Sequence, residues 1–157
     1  MGVIGFYNSD EEYGFLSNWY LSDFELEGIR FSSVEQYMMY QKARYFNDEY
    51  CMEEILKTDD PSKIKALGRQ VSNFNSTYWN GIRQIVVYRA LYAKFSQNED
   101  LKEKLKATGD NILAECAVND LIWGIGIPMG DDDLLDISKW RGQNLLGYAL
   151  MMVREQL

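Results

Sequence analysis

The stretch Ser32-Ser33-Val34-Glu35-Gln36-Tyr37-Met38-Met39-Tyr40-Gln41-Lys42-Ala43 decides how this chain is read. It opens as helices open, with serines suited to cap exposed backbone N–H groups. Glu35 and Lys42 stand seven positions apart. At about 3.6 residues per turn that is nearly two full turns, so both side chains fall on one face. The residues between them make almost every side of the helix apolar, and such a helix is mostly buried. A lysine carried into that setting is paired or has its pKa lowered, and a neutral lysine is a usable nucleophile. Ser32-x-x-Glu35 also matches a capping box, in which the carboxylate merely reaches back to the cap amide. The chain contains no histidine. Proton transfer therefore falls to carboxylates, amines, phenols or water.

Length and composition frame this helix. The chain has 157 residues and no long Pro/Gly/Ser stretch, which predicts one domain over 1–157. It is 46% hydrophobic and 14% aromatic, enough for a packed core and for a site that stacks bases or walls a sugar. The net charge of -8 repels a phosphate backbone at long range, yet a local pocket of arginine and lysine still suits one phosphate or diphosphate. Cys51 and Cys116 have no metal-ligand or redox spacing and read as reduced thiols of a cytoplasmic protein. Nothing at the N-terminus reads as a signal peptide, and no apolar run approaches the roughly 20 residues a membrane helix needs.

The rest of the chain reads as a helix-dominated α+β domain with a small N-terminal β element. Val3–Tyr7 suggests a strand, and 24–31 a hairpin turning at Glu27-Gly28. The opening helix runs to about Phe46. Helices follow from Asp48 to Thr58, and from Pro61 to about Gln70. A long fourth one is capped by Ser76. It carries Trp79, Ile82, Val86 and Ala93 on one stripe with Ile85, Tyr88, Tyr92 and Phe95 beside it, which predicts burial on most sides. A charged helix stops at Gly109, 112–117 reads as a strand, and Gly142–Gly147 leads into a terminal helix ending near Arg154.

Several clusters carry possible chemistry. Asp120 and Trp123 lie among glycines, either as a turn with a core tryptophan or as an acid and an aromatic wall where backbone approaches a ligand. The loop from Gly14 to Asn18 offers small polar groups for sugar hydroxyls. Gly68-Arg69, Arg83 and Arg89 are candidates for phosphate. Asp131-Asp132-Asp133 lacks the spacing of a calcium loop and reads as solvated, so no metal is expected. Gly124-x-Gly126 lacks the third glycine of a dinucleotide fingerprint.

An ordered set of these segments resembles the NADAR family, named for its association with NAD and ADP-ribose and known also from a riboflavin-pathway N-glycosidase. The resemblance rests on Tyr13-Gly14-Phe15-Leu16-Ser17-Asn18-Trp19, on Ser33 to Ala43, on Gly68-Arg69 and on Trp79. It continues through Arg89-Ala90-Leu91-x-x-Lys94-Phe95, Asn119-Asp120-x-x-Trp123-Gly124 and Gly142-x-Asn144-x-Leu146-Gly147-x-x-Leu150-Met151-x-x-Arg154.

The resemblance implies cleavage of an N-glycosidic bond between ribose C1 and an exocyclic amine, with no cofactor. One branch of the family acts on ribosylamino-pyrimidine phosphates of riboflavin synthesis. Another removes ADP-ribose from guanine in nucleic acid and opposes DNA ADP-ribosyltransferase toxins. Riboflavin-type members carry a histidine after the helix glutamate. This chain has Gln36 there, which points toward the guanine branch and an antitoxin role. By the family pattern Glu35, Lys42, Trp79, Asp120 and Trp123 would line the site. An amine-linked ribose can open to an imine, which makes Lys42 the candidate nucleophile, Glu35 the proton shuttle and Asp120 an orienter of ribose or a proton aid; in the rival dissociative route a carboxylate stabilises a ribosyl cation and Lys42 only orients Glu35 or binds phosphate. Gly14, Ser17, Asn18, Trp19, Arg69, Trp79, Asn119, Trp123, Gly124 and Asn144 would contact substrate. A binding module that senses ADP-ribose or NAD without turnover is the rival from another class.

Overall fold

Strand β1 (Val3–Phe6) opens the chain, followed by the hairpin strands β2 (Phe24–Leu26) and β3 (Ile29–Phe31). Four helices come next: α1 (Val34–Tyr45), α2 (Glu49–Leu56), α3 (Pro61–Arg69) and α4 (Ser76–Gln97). Helix α5 (Glu99–Ala107), strand β4 (Ile112–Glu115) and helix α6 (Leu145–Gln156) complete the order. These positions come from a computed structural model that describes residues 2–157. Helices dominate and the strands are few and short, the α+β arrangement expected. Two compact units divide the chain; one is Leu21–Asn98, the other runs up to Tyr20 and resumes at Glu99.

The Leu21–Asn98 unit is a hairpin followed by four helices. Glu27 and Gly28 both adopt positive φ, 55° and 78°, the left-handed pair that a two-residue hairpin turn requires. β2 and β3 pair antiparallel with Phe24 opposite Phe31, and those rings stack at 5.9 Å. Helix α1 packs on α2, α3 and α4. Its start differs from the Ser32–Glu35 box by one residue. Ser33 is the cap and its hydroxyl accepts the Gln36 N–H at 3.1 Å. Gln36 Oε1 reaches back to the Ser32 N–H at 2.7 Å, so glutamine makes the reciprocal bond in place of Glu35. Gln36 Nε2 donates to the carbonyls of Ile55 and Thr58, fastening α1 to the end of α2.

The other helices have caps of their own. Asp48 caps α2 through the Cys51 N–H at 3.0 Å and accepts the Ser72 N–H at 2.8 Å with its second oxygen. These backbone bonds hold its carboxyl at about 2. Asn75, the residue before Ser76, caps α4. Helix α4 keeps Trp79, Val86, Val87, Ala90 and Leu91 buried. Its predicted second stripe is split: Ile85 and Tyr92 stand in solvent at 63% and 43% exposure, Tyr88 is half-buried and Phe95 is fully buried. The core of this unit includes Val34, Ala43, Ile55, Ile64 and Leu91, all fully buried. Each large aliphatic side chain there contributes roughly 1.5–3 kcal/mol of transfer free energy.

In the other unit β1 runs parallel to β4, with Val3 opposite Ile112 and Phe6 opposite Glu115. Helix α6 packs on β4. Ala114, Cys116, Ile125 and Ile127 form a small core against Val3, Leu134 and Trp140. The acidic loop is a series of caps. Asp131 and Asp136 each accept an N–H at the start of a one-turn 3₁₀ helix, and Asp133 pairs with Lys139 at 3.1 Å. Both cysteines are free and buried, and burial pushes each thiol up to about 11. Among the described residues no helix is long and apolar enough to cross a membrane, and no group of acidic or thiol side chains is arranged to hold a metal.

Candidate active site

Helix α1 supplies the two groups that stand out chemically. Glu35 lies in its first turn and is buried at 5% exposure. Lys42 lies near its C-terminal end, about 10 Å further along the axis at 1.5 Å per residue. Lys42 is half-buried. Its pKa is lowered, chiefly because burial disfavours the ammonium; Glu35 opposes that shift and Arg69 adds to it. The Glu35 carboxylate and the Arg69 guanidinium at the end of α3 therefore both act electrostatically on the Lys42 amine. The Lys42 ammonium faces the Phe74 ring, with its nitrogen 4.6 Å from the ring centroid. That contact favours the charged form. Burial and Arg69 thus oppose the Phe74 face and Glu35, which poises the amine below the usual lysine range.

α3 comes close enough to contribute Arg69 because its penultimate residue is glycine. A Cβ on Gly68 would lie 2.0 Å from Met39 Sδ on α1. Gly68 is thus a packing residue, and Arg69 itself is exposed. Trp79 is buried at 6% exposure, which leaves little of its ring open for stacking. Arg83 and Arg89 do not behave as the phosphate candidates of the sequence reading. Arg83 donates to Asn80 Oδ1 at 2.8 Å, and Arg89 pairs with Glu27 at the hairpin tip, also at 2.8 Å. Gln36, which pointed to the guanine branch, spends its side chain holding the backbone of α1 and α2. Its side chain is thus accounted for by the fold.

The remaining candidates belong to the other unit. Asn18 is 7% exposed and its Oδ1 is buried with no hydrogen-bond partner. Such an oxygen costs roughly 1–3 kcal/mol and marks a place where a ligand hydroxyl would be welcome. Ser17 Oγ accepts the Trp19 N–H at 3.1 Å, and Trp19 is 39% exposed. Asp120 Oδ1 accepts the N–H groups of Ile122 and Trp123 at 3.0 and 2.9 Å, which makes a turn. Asn119 is exposed and Trp123 half-buried.

Three members of the predicted set are explained by packing within the chain. A Cβ on Gly14 would lie 2.2 Å from the Ser9 carbonyl oxygen, and one on Gly124 2.9 Å from that of Glu115. Asn144 is fully buried. Its Oδ1 accepts the Glu115 N–H and its Nδ2 donates to the Leu113 carbonyl, so its amide belongs to β4 and not to a ligand.

Two features escaped the sequence reading. Phe74 sits in an irregular loop, and nothing in its spacing signals the ammonium it faces. Lys94 was visible only as part of a motif. It is fully buried in α4, and burial lowers its pKa to about 7. A lysine placed four residues after an alanine-lined helix face (Ala90) was the available signal.

Residues 5–157 match the NADAR domain, so the match spans both compact units. The N-glycosidase R617 of Acanthamoeba polyphaga mimivirus is 40% identical over 145 residues, covering 89% of this chain and 85% of its own. The NMR structure of the E. coli protein YbiA superposes with a TM-score of 0.81 at 33% identity, covering 99% of this chain and 84% of that one. The riboflavin biosynthesis protein VVA0006 of Vibrio vulnificus is 36% identical over 154 residues, and this chain spans 38% of its length. The chain belongs to the NADAR family.

Proposed function

We propose that this protein removes ADP-ribose from the exocyclic amine of guanine in nucleic acid, with residues 1–157 acting as one NADAR domain. The chain is an N-glycosyl hydrolase, the class named for its relatives R617 and YbiA at 40 and 34% identity. The observation that carries the mechanism is the lowered pKa of Lys42 beside Glu35 and Arg69 on adjoining helices. An amine-linked ribose opens when the nitrogen lone pair expels the ring oxygen from C1, and Glu35 gives that oxygen a proton. Neutral Lys42 adds to C1. A proton passes from the lysine nitrogen to the departing amine, the C1–N bond to the base breaks, and a Schiff base remains on Lys42. Water adds to C1, and collapse of the carbinolamine frees the sugar and restores the amine. Arg69 suits a phosphate of the substrate.

Borohydride added during turnover tests the route. A stable mass adduct on Lys42 is expected, lost in Lys42→Arg together with activity. Persisting activity without an adduct would point instead to direct C–N cleavage with a carboxylate-stabilised ribosyl cation. A second reading is favoured by the relative VVA0006, named a riboflavin biosynthesis protein; it is hydrolysis of ribosylamino-pyrimidine phosphates. Rates measured side by side on ADP-ribosylguanine and on such a pyrimidine decide between them. Faster turnover of the pyrimidine would replace the guanine reading, and tight ADP-ribose binding without turnover of either would make the protein a sensor. Pairing with a DNA ADP-ribosyltransferase toxin follows from the guanine reading alone.

A further inference from the structure

A line of rings leads away from Lys42 within the Leu21–Asn98 unit. The Phe74 ring that faces the ammonium stands edge-on to Phe46 at 5.4 Å. Phe46 meets Tyr78 at 5.8 Å, and Tyr78 meets Tyr45 at 6.0 Å. The line ends at the Arg44 guanidinium, whose carbon lies 5.1 Å from the Tyr45 centroid. Only Phe46 is buried. Phe74 is 44% and Tyr78 50% exposed. Phe74 and Tyr78 therefore reach water on either side of a buried Phe46 that holds them, and exposed aromatic surface grouped in this way marks a contact surface more often than chance exposure does. Among the described residues Arg44 forms no ion pair; its guanidinium donates to Gln41 Oε1 at 3.3 Å, and its charge stays available to an anion at the far end of the line.

We propose that this ridge, from Lys42 through Phe74, Phe46, Tyr78 and Tyr45 to Arg44, is a docking track for the single-stranded nucleic acid flanking the modified guanine. The inference deepens the function proposed above and rests on its guanine reading for the choice of substrate. A run of rings that ends on a guanidinium suits a strand because every base has a π-face to stack and a linkage phosphate can meet the arginine. A pyrimidine mononucleotide would occupy the Lys42 end and leave Tyr78 and Tyr45 without a task. The chain's net charge of -8 gives no long-range attraction to a strand. The track is therefore short and led by stacking, with two or three nucleotides held and a shallow dependence on salt.

Two measurements test it. Fluorescence anisotropy with a labelled nine-nucleotide single strand lacking ADP-ribose reads binding without turnover. The double variant Tyr45→Ala/Tyr78→Ala should weaken binding at least tenfold, and Tyr45→Phe/Tyr78→Phe should restore it because the rings return. The ratio of kcat/KM for ADP-ribosylguanine within that strand to the free modified nucleoside should exceed about ten for the wild type and fall toward one in the alanine variant. Wild-type binding that is absent, or unmoved by the alanine substitutions, overturns the track. So does a ridge whose alanine variants dissociate a dimer in sedimentation velocity while strand binding stays intact. Ring-dependent strand binding with no turnover of any ADP-ribosylguanine would leave the track standing and remove the guanine reading alone.

Discussion

Lys42 shows how a single side chain is tuned by unlike neighbours. Burial comes first among the influences that lower its pKa, Glu35 opposes it, and Arg69 reinforces it. Attack at C1 needs the neutral amine, so kcat/KM should rise with pH through a limb that lies below the ordinary lysine value of about 10.4. Replacing Arg69 with glutamine removes a lowering influence, and the limb should move to higher pH in a pH–rate profile. An unmoved limb would mean that the lysine does not set the rate. Tyr37 presents a different case. It is fully buried, its hydroxyl has no hydrogen-bond partner, and burial raises its pKa. Tyr37→Phe should therefore leave stability unchanged or raise it by up to about 1 kcal/mol, as chemical denaturation would read. Glu35 and Lys42 were legible because helix periodicity alone aligns them. Phe74 was not, because a loop has no period, and the ring meets the amine only through the tertiary course of residues 71–75.

At the scale of elements, α1 is held in place by two devices. One is the Gln36 side chain, which satisfies the Ser32 N–H and two carbonyls at the end of α2. Gln36→Ala would strand those buried groups and should cost roughly 1–3 kcal/mol of stability. The other is the close approach at Gly68. Gly68→Ala should cost about 1–3 kcal/mol by overpacking against Met39, and Met39→Ala in the same chain should relieve part of it, as thermal melting of the single and double variants would show. Element types were readable from periodicity, caps and the Glu27-Gly28 turn. The capping register was not, since Ser32 and Ser33 offer equivalent hydroxyls and the outcome depends on Gln36 finding carbonyls nineteen and twenty-two residues later. The face of α4 carrying Ile85 and Tyr92 was misread as buried because hydrophobic pattern reports what a face prefers, not whether the fold has a neighbour to cover it.

For the molecule as a whole, the buried Lys94 links stability to pH. Its folded-state pKa of about 7 lies below the unfolded lysine value, so between the two the unfolded chain binds more protons. Stability should rise as pH increases from about 7 toward 10. Lys94→Met should flatten that rise, and denaturant midpoints across this range would show it; an unchanged slope would place the effect elsewhere. Overall class, helix count and the α1 pair were visible in the sequence. The pairing of β1 with β4 was not, because parallel strands need no local turn and leave no signal between them.

That pairing gives the chain a timetable. Val3 lies opposite Ile112, so β1 emerges from the ribosome 109 residues before its partner. At typical synthesis speeds the wait is roughly 5–20 s. Everything in Leu21–Asn98 is translated within that interval and is free to settle first. A nascent chain halted before Ile112 would display a lone, unzipped strand at its leading end, and protease sensitivity confined to residues before Tyr20 would date the moment of closure.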